Sequence, residues 1–202
     1  MKLILFVLLF LTLDIAASQE RYALRGAYGK STQSDYGEIL SGQVEGSVAY
    51  SRVYALDGSY LVQKNLFELP LELYLSSGLA YFDEGVSHES VYEATLYLKL
   101  YYTLSLYRAK IRFGLGEGGS YTSNILHVEM LQAQSVNGNN SHFLNYLDTS
   151  VDINLGSLFA TQELKHTVIG ALIKHRSGIF GLINNVKKGG SNYNCLYIEQ
   201  SF

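Results

Sequence analysis

Between Glu93 and Ser105 the chain alternates with a period of two. Ala94, Leu96, Leu98, Leu100, Tyr102 and Leu104 fall on one face, and Glu93, Thr95, Lys99, Thr103 and Ser105 fall on the other with Tyr97 and Tyr101. Side chains of a β-strand point alternately to its two sides, so this is a strand with one apolar and one polar face. The next segment repeats the pattern, with Tyr107, Ala109, Ile111, Phe113 and Leu115 against Arg108, Lys110, Arg112 and Gly114. A third sets Phe143, Leu147, Val151, Ile153 and Leu155 against Tyr146, Asp148, Ser150, Asp152 and Asn154. A strand of about ten residues crosses a bilayer when tilted.

Weaker alternation at 21–30, 48–62, 69–83, 163–177 and 191–202 brings the strand count to eight. The connections 30–47, 116–141 and 178–190 are long and 84–90 is shorter, whereas 63–68, 104–106 and 156–162 are short turns. Long and short connections alternate, as outer loops and inner turns do in a membrane barrel. The predicted fold is all-β, an eight-stranded antiparallel transmembrane barrel whose interior is filled by side chains. Composition agrees: 17 Tyr and 19 Gly with one Pro and no Trp favour strands and turns over helices.

Residues 1–18 read as an export signal preceding a barrel domain at 19–202. Lys2 supplies the positive start, Leu3 to Leu13 the apolar stretch, and Ala16-Ala17-Ser18 the small residues before a cut at Gln19. That stretch is too short to span a bilayer as a helix, and past it no run of 18 apolar residues occurs. No Cys follows the cut to accept a lipoprotein anchor. Cys195 stands alone, which excludes an intramolecular disulfide and suits a small packing residue. A formal net charge of -3 gives no sign of nucleic-acid binding. No spacing of His, Asp, Glu and Cys resembles a metal site, and no cofactor is implied.

A secreted lipocalin-like barrel is the alternative; it would turn its apolar face inward around a ligand and leave the charges outside. In the membrane reading Arg25, Lys99, Arg108, Lys110 and Arg112 project into the lumen with Glu72, Glu93, Asp148, Asp152 and Glu199. Paired burial is their ordinary explanation, because unpaired buried charge is expensive; an ion pathway is the sharper one.

Strand seven breaks the pattern. Thr167, Ile169, Ala171 and Ile173 form its outward face, and two further steps place His175 and Ser177 on the lipid side at the outer end. Counting back by twos from Phe202 turns Asn192 outward on strand eight, and the phase of strand six turns Asn145 outward. A His and a Ser two apart on a strand lie about 7 Å apart at the backbone. Neutral His175 is able to take the proton of Ser177 during attack on an ester carbonyl and return it to the leaving alcohol. Asn192 would orient the imidazole, and the oxyanion donor would be a backbone N–H near Gly178 or the amide of Asn145. Polar groups at a strand end are also common at headgroup level without any chemistry.

His175-Arg176-Ser177-Gly178 on the penultimate strand, with Gly189-Gly190-Ser191-Asn192-Tyr193 opening the last, resembles the PagL-type lipid A 3-O-deacylases, acyloxyacyl hydrolase-like enzymes of the bacterial outer membrane. The resemblance implies Ser177 as nucleophile, His175 as general base, and lipid A of lipopolysaccharide as substrate. It also implies that Phe202, a terminal aromatic on an amphipathic strand, serves recognition by the barrel-assembly machinery. Two positions depart from the family: Asn192 stands where its acid is, and Gly178 where an Asn follows the Ser. Glu117 and Glu129 are candidate replacement acids. Lys174, Arg176, Lys187 and Lys188 are candidate contacts to lipid phosphates, or ordinary headgroup and loop charges. The alternative function is a non-catalytic barrel with a structural, adhesion or surface-interaction role; a homodimer is left open.

Overall fold

The computed structural model describes residues 20–47, 49–85 and 89–202, so the expected export signal lies outside the described residues. Eight antiparallel strands close into a barrel in chain order: β1 (Tyr22–Thr32), β2 (Arg52–Gln63), β3 (Leu71–Asp83), β4 (Val91–Leu106), β5 (Ala109–Thr122), β6 (Phe143–Asn154), β7 (Thr167–Ser177) and β8 (Ser191–Ser201). β8 pairs with β1 from Ala23↔Ser201 to Thr32↔Asn192, which leaves no open edge. Among the described residues three α-helices lie in the connections: α1 (Tyr36–Leu40), α2 (His127–Gln134) and α3 (Leu155–Phe159). Among the described residues no helix is long and apolar enough to cross a membrane, so the strands do the crossing.

The polarity of the wall decides between the two barrel readings. Leu56, Leu75, Leu79, Leu96, Leu98, Phe113, Leu115, Val151, Ile169, Leu196 and Ile198 are exposed on the outside, whereas Arg25, Asp57, Glu93, Lys99, Asp148 and Asp152 are buried inside. This is the inverse of a soluble ligand-binding barrel, and it excludes the lipocalin-like alternative. Outward tyrosines flank the apolar band. Tyr28, Tyr54, Tyr81 and Tyr92 form a ladder across β1 to β4, with successive ring centroids 5.1, 6.3 and 5.5 Å apart. Such girdles mark the membrane–water boundary.

Charge pairing fills the lumen. Arg25 meets Asp148 at 2.7 Å and Asp57 at 3.1 Å, and Lys99 meets the other oxygen of Asp148 at 2.6 Å. Toward the short turns, Arg112 bridges Asp152 at 2.9 Å and Glu199 at 2.6 Å. Toward the long loops, Lys174 meets Glu93 at 2.5 Å and Arg176 meets Glu129 at 3.0 Å. Across this network each ion is compensated where water is excluded, the condition that makes buried charge tolerable. Arg108 and Lys110 depart from expectation: both are exposed at the β4–β5 turn, where the strands have left the lumen.

Three boundaries also differ. β5 continues through Gly116 to Thr122, where a loop was expected from 116 onward. Its inward positions Gly114, Gly116 and Gly118 lie opposite Tyr101, Lys99 and Tyr97 of β4. A Cβ on Gly114 would come within 2.6 Å of the Tyr101 ring, so glycine makes room there for large lumenal neighbours. Because glycine carries no side-chain polarity, alternation was silent over a real strand. β7 begins at Thr167 rather than 163, because α3 and the following turn occupy 155–166, and β2 begins at Arg52 rather than 48.

Candidate functional site on the outer wall

Alternation along β7 sends Lys174 and Arg176 to the lumen and His175 and Ser177 to the outside, where both are half-buried. Register then assembles the neighbourhood. His175 lies opposite Asn192 of β8, and Ser177 opposite Asn145 of β6. All four side chains share the lipid-facing wall at the long-loop end.

The best-defined contact is between His175 and Asn192. The imidazole Nδ1 lies 2.6 Å from Asn192 Oδ1, and Asn192 Nδ2 donates to the Ser34 carbonyl at 3.0 Å. That second bond fixes which end of the amide faces the ring. An oxygen facing Nδ1 requires Nδ1 to carry the proton, which leaves Nε2 with its lone pair free as an acceptor. A general base needs this tautomer. Asn192 is itself only 5% exposed, so its hydrogen bonds are shielded from competing water.

The loop after β1 supplies the cover. Ser34 is buried and its backbone N–H donates to the Thr32 hydroxyl oxygen at 3.1 Å. Two residues on, Tyr36 lays its ring beside His175 with centroids 5.1 Å apart. Its hydroxyl is hydrogen-bonded to Thr149 on the outward face of β6. Tyr36 thus spans the wall from β7 to β6 with the imidazole beneath it. Neither Ser34 nor Tyr36 was visible from strand phase, since both belong to a loop whose path is set by tertiary contacts. The one local hint is the capping box at the start of α1, where the Asp35 backbone N–H donates to Glu38 at 2.8 Å.

Ser177 stands on the same face as His175, but no hydrogen bond joins the two side chains. The serine lies beside Asn145 at a cross-strand position, where Cβ atoms are roughly 5 Å apart. Gly178 follows and ends the strand. Its carbonyl accepts the backbone N–H groups of Gly181 and Ile183 at 3.1 and 3.0 Å, and a Cβ there would sit 2.1 Å from the Val186 carbonyl oxygen. Packing of the 178–190 loop therefore requires glycine where the PagL-type pattern has Asn.

The phosphate contacts expected of Lys174 and Arg176 are corrected. Both are buried in the lumen and paired with carboxylates, because even positions of β7 face inward. Lys187 and Lys188 are exposed on the loop. Glu129 is corrected as a replacement acid: it reaches from α2 into the lumen to Arg176 and accepts from Ser191 Oγ at 2.8 Å. Burial pushes its carboxyl up to about 7, against the pull of Arg176 and Ser191. Glu117 does face outward, in one cross-strand row with Leu147, His175 and Asn192. Two strand spacings, roughly 10 Å at the backbone, separate it from His175, and Leu147 stands between. The group touching the imidazole is the amide. Among the described residues no three His, Cys, Asp or Glu side chains cluster as a metal site.

No protein-family model matches the chain, and no curated protein matches it. Among solved structures it is similar to the outer membrane enzyme PagL, with 14% identity over 89% of this chain and 99% of that one and a TM-score of 0.60. It is also similar to Neisserial surface protein A, at 13% identity over 90% of this chain and 96% of that one, TM-score 0.48. A third is Ail of Yersinia pestis, solved with the heparin analogue sucrose octasulfate, at 11% identity over 91% of this chain and 99% of that one, TM-score 0.37. The architecture described above is that of the eight-stranded outer-membrane β-barrels.

Proposed function

We propose that this barrel, seated in the bacterial outer membrane, hydrolyses an ester-linked acyl chain of lipid A through Ser177, His175 and Asn192. The observation that carries the proposal is the Nδ1 to Oδ1 hydrogen bond of 2.6 Å on the lipid-facing wall, with the amide held by Ser34. An imidazole oriented in that way, with a serine two residues away on the same face, has the parts of a nucleophile and base. In the reaction Ser177 Oγ attacks the ester carbonyl as His175 Nε2 takes its proton. The imidazolium returns that proton to the leaving alcohol, and water then cleaves the acyl-serine to release a carboxylic acid. Asn145, beside Ser177, is positioned as an amide donor to the developing oxyanion. The likeness to an outer membrane enzyme supports the barrel plan on which this chemistry would be mounted.

Mass spectrometry of lipid A from cells with and without the protein tests the proposal. Acyl loss that depends on Ser177 is expected; unchanged acylation, or loss that survives Ser177→Ala, sinks it. A second reading is a non-catalytic barrel with a structural or surface-interaction role. Its support is specific: Tyr36 covers His175, and an amide occupies the place of a carboxylate.

A further inference from the structure

Every cation in the lumenal network has a carboxylate partner, but two on the outer wall do not. Lys30 of β1 and Arg52 of β2 are cross-strand partners, and both share the outward phase of Tyr28 and Tyr54. Like charges directly opposite one another on a sheet repel. On a lipid-facing wall they also incur desolvation unless they lie at the interface. Among the described residues neither forms an ion pair with a protein carboxylate. Asp83, the register partner of Arg52 on β3, instead accepts the Gly85 backbone N–H at 3.1 Å.

Arg52 is held in place while keeping donor capacity. Its guanidinium lies over the Tyr50 ring, 4.6 Å from the centroid, and its Nε is buried without a hydrogen-bond partner. Asn194 of β8 lies opposite Lys30 on its other side and faces outward too, which lines up Asn194, Lys30 and Arg52 in one row. Along the two strands, Lys30 and Arg52 stand two residues beyond the paired Tyr28 and Tyr54 toward the long loops, about 7 Å past the aromatic girdle. Beyond the aromatic girdle comes the layer of lipid phosphates.

We infer that Asn194, Lys30 and Arg52 form a binding site on the outer wall for the phosphate of an outer-leaflet lipid headgroup. The phosphate supplies the missing counter-charge, offsets the repulsion between the two cations, and meets the fork of a guanidinium already fixed by stacking. Asn194 is two residues from Asn192 on the same face, so a lipid anchored here has its ester region beside His175. The phosphate site itself rests on the membrane reading of the wall and not on esterase activity.

The experiment uses the full barrel carrying Ser177→Ala, folded in non-ionic detergent, so that loss of the esterase proposal leaves the binding measurement intact. Short-chain phosphatidic acid is titrated below its micelle concentration, with the matching diacylglycerol and inorganic phosphate in parallel. Phosphatidic acid is expected to bind, with affinity about tenfold lower in K30Q/R52Q and intermediate in K30Q alone, while R108Q/K110Q, exposed at the β4–β5 turn, leaves it unchanged. Heat-modifiable gel mobility checks that each variant is folded. Equal affinity in folded K30Q/R52Q overturns the site. An equal loss in R108Q/K110Q, showing bulk charge alone, also overturns it. Inorganic phosphate binding as tightly as the lipid overturns the assignment to a headgroup.

Discussion

Lys174 and Arg176 on one side of β7, and His175 and Ser177 on the other, are neighbours in sequence that live in different solvents. The first pair is buried and joined to Glu93 and Glu129. The second pair is half-buried on the lipid side, where His175 is in contact with the Asn192 amide and the Tyr36 ring. In the lumen charge is abundant and compensated, the condition under which its burial is tolerable. On the wall one imidazole is oriented by an amide and covered by a tyrosine, an arrangement that keeps a lone pair available. Polarity alone does not mark a site in such a barrel; polarity on the wrong face does.

The largest separation expected between the two sides concerns Ser177 and Asp148. Ser177→Ala should reduce ester hydrolysis by about 10⁴-fold or more while shifting unfolding by less than about 0.5 kcal/mol. Acyl release from purified lipid A and a urea titration of the folded barrel read the two quantities. Asp148→Asn should do the converse. It leaves Arg25 and Lys99, at 2.7 and 2.6 Å from the carboxylate, facing a neutral amide. Loss of one partner from a buried ion cluster costs about 3–5 kcal/mol. An Asp148→Asn barrel that unfolds at the wild-type urea concentration would mean that the lumenal pairs do not hold the wall together.

How far this contrast was legible beforehand depends on whether side chains carry the signal. β4, β6 and the outer half of β7 alternate cleanly, so their faces, and the outward placement of His175, Ser177, Asn145 and Asn192, follow from counting by twos. The same counting puts Lys174 and Arg176 in the lumen. Assigning them to lipid phosphates came from nearness in sequence, which on a strand means the opposite face. The upper half of β5 was illegible because Gly114 to Gly119 are mostly glycines chosen for clearance. Tyr36 and Ser34 were illegible for a different reason: a loop's contact with the wall is a tertiary fact with no period. Lys30 and Arg52 were countable, and they acquire meaning only when the lumenal cations are seen to be paired.

Asn192 sharpens the wall side of the comparison. Removing its amide with Asn192→Ala should lower the hydrolysis rate about 10²-fold, since Nδ1 loses the acceptor that selects its tautomer. Asn192→Asp places a carboxylate beside Nδ1 that stabilises the imidazolium formed during attack but loses the donor to the Ser34 carbonyl, so its rate should stand above that of Asn192→Ala. The pair of variants separates orientation from charge. A rate that falls equally in both would show that Asn192 serves only to tie down Ser34 and the loop above it.

The smallest effect lies at the boundary between loop and lumen. Glu129 faces Arg176 from β7, Ser191 from β8 and the carboxylates of Glu93 and Glu84, and burial pushes its carboxyl up to about 7 from an ordinary value of 4.5. The folded state therefore binds this proton more tightly than the unfolded chain does. The associated stabilisation is fully present below about 4.5 and is lost as pH rises toward 7. Because Glu129 sits on α2, the loss should fall on the docking of that helix rather than on the strands. Hydrogen exchange of α2 amides, corrected for intrinsic rates, should lose protection on the order of tenfold between pH 5 and pH 8. Glu129→Gln should flatten that profile while β-strand amides stay unchanged in both proteins. An undiminished slope in the Gln variant would assign the pH response to another group.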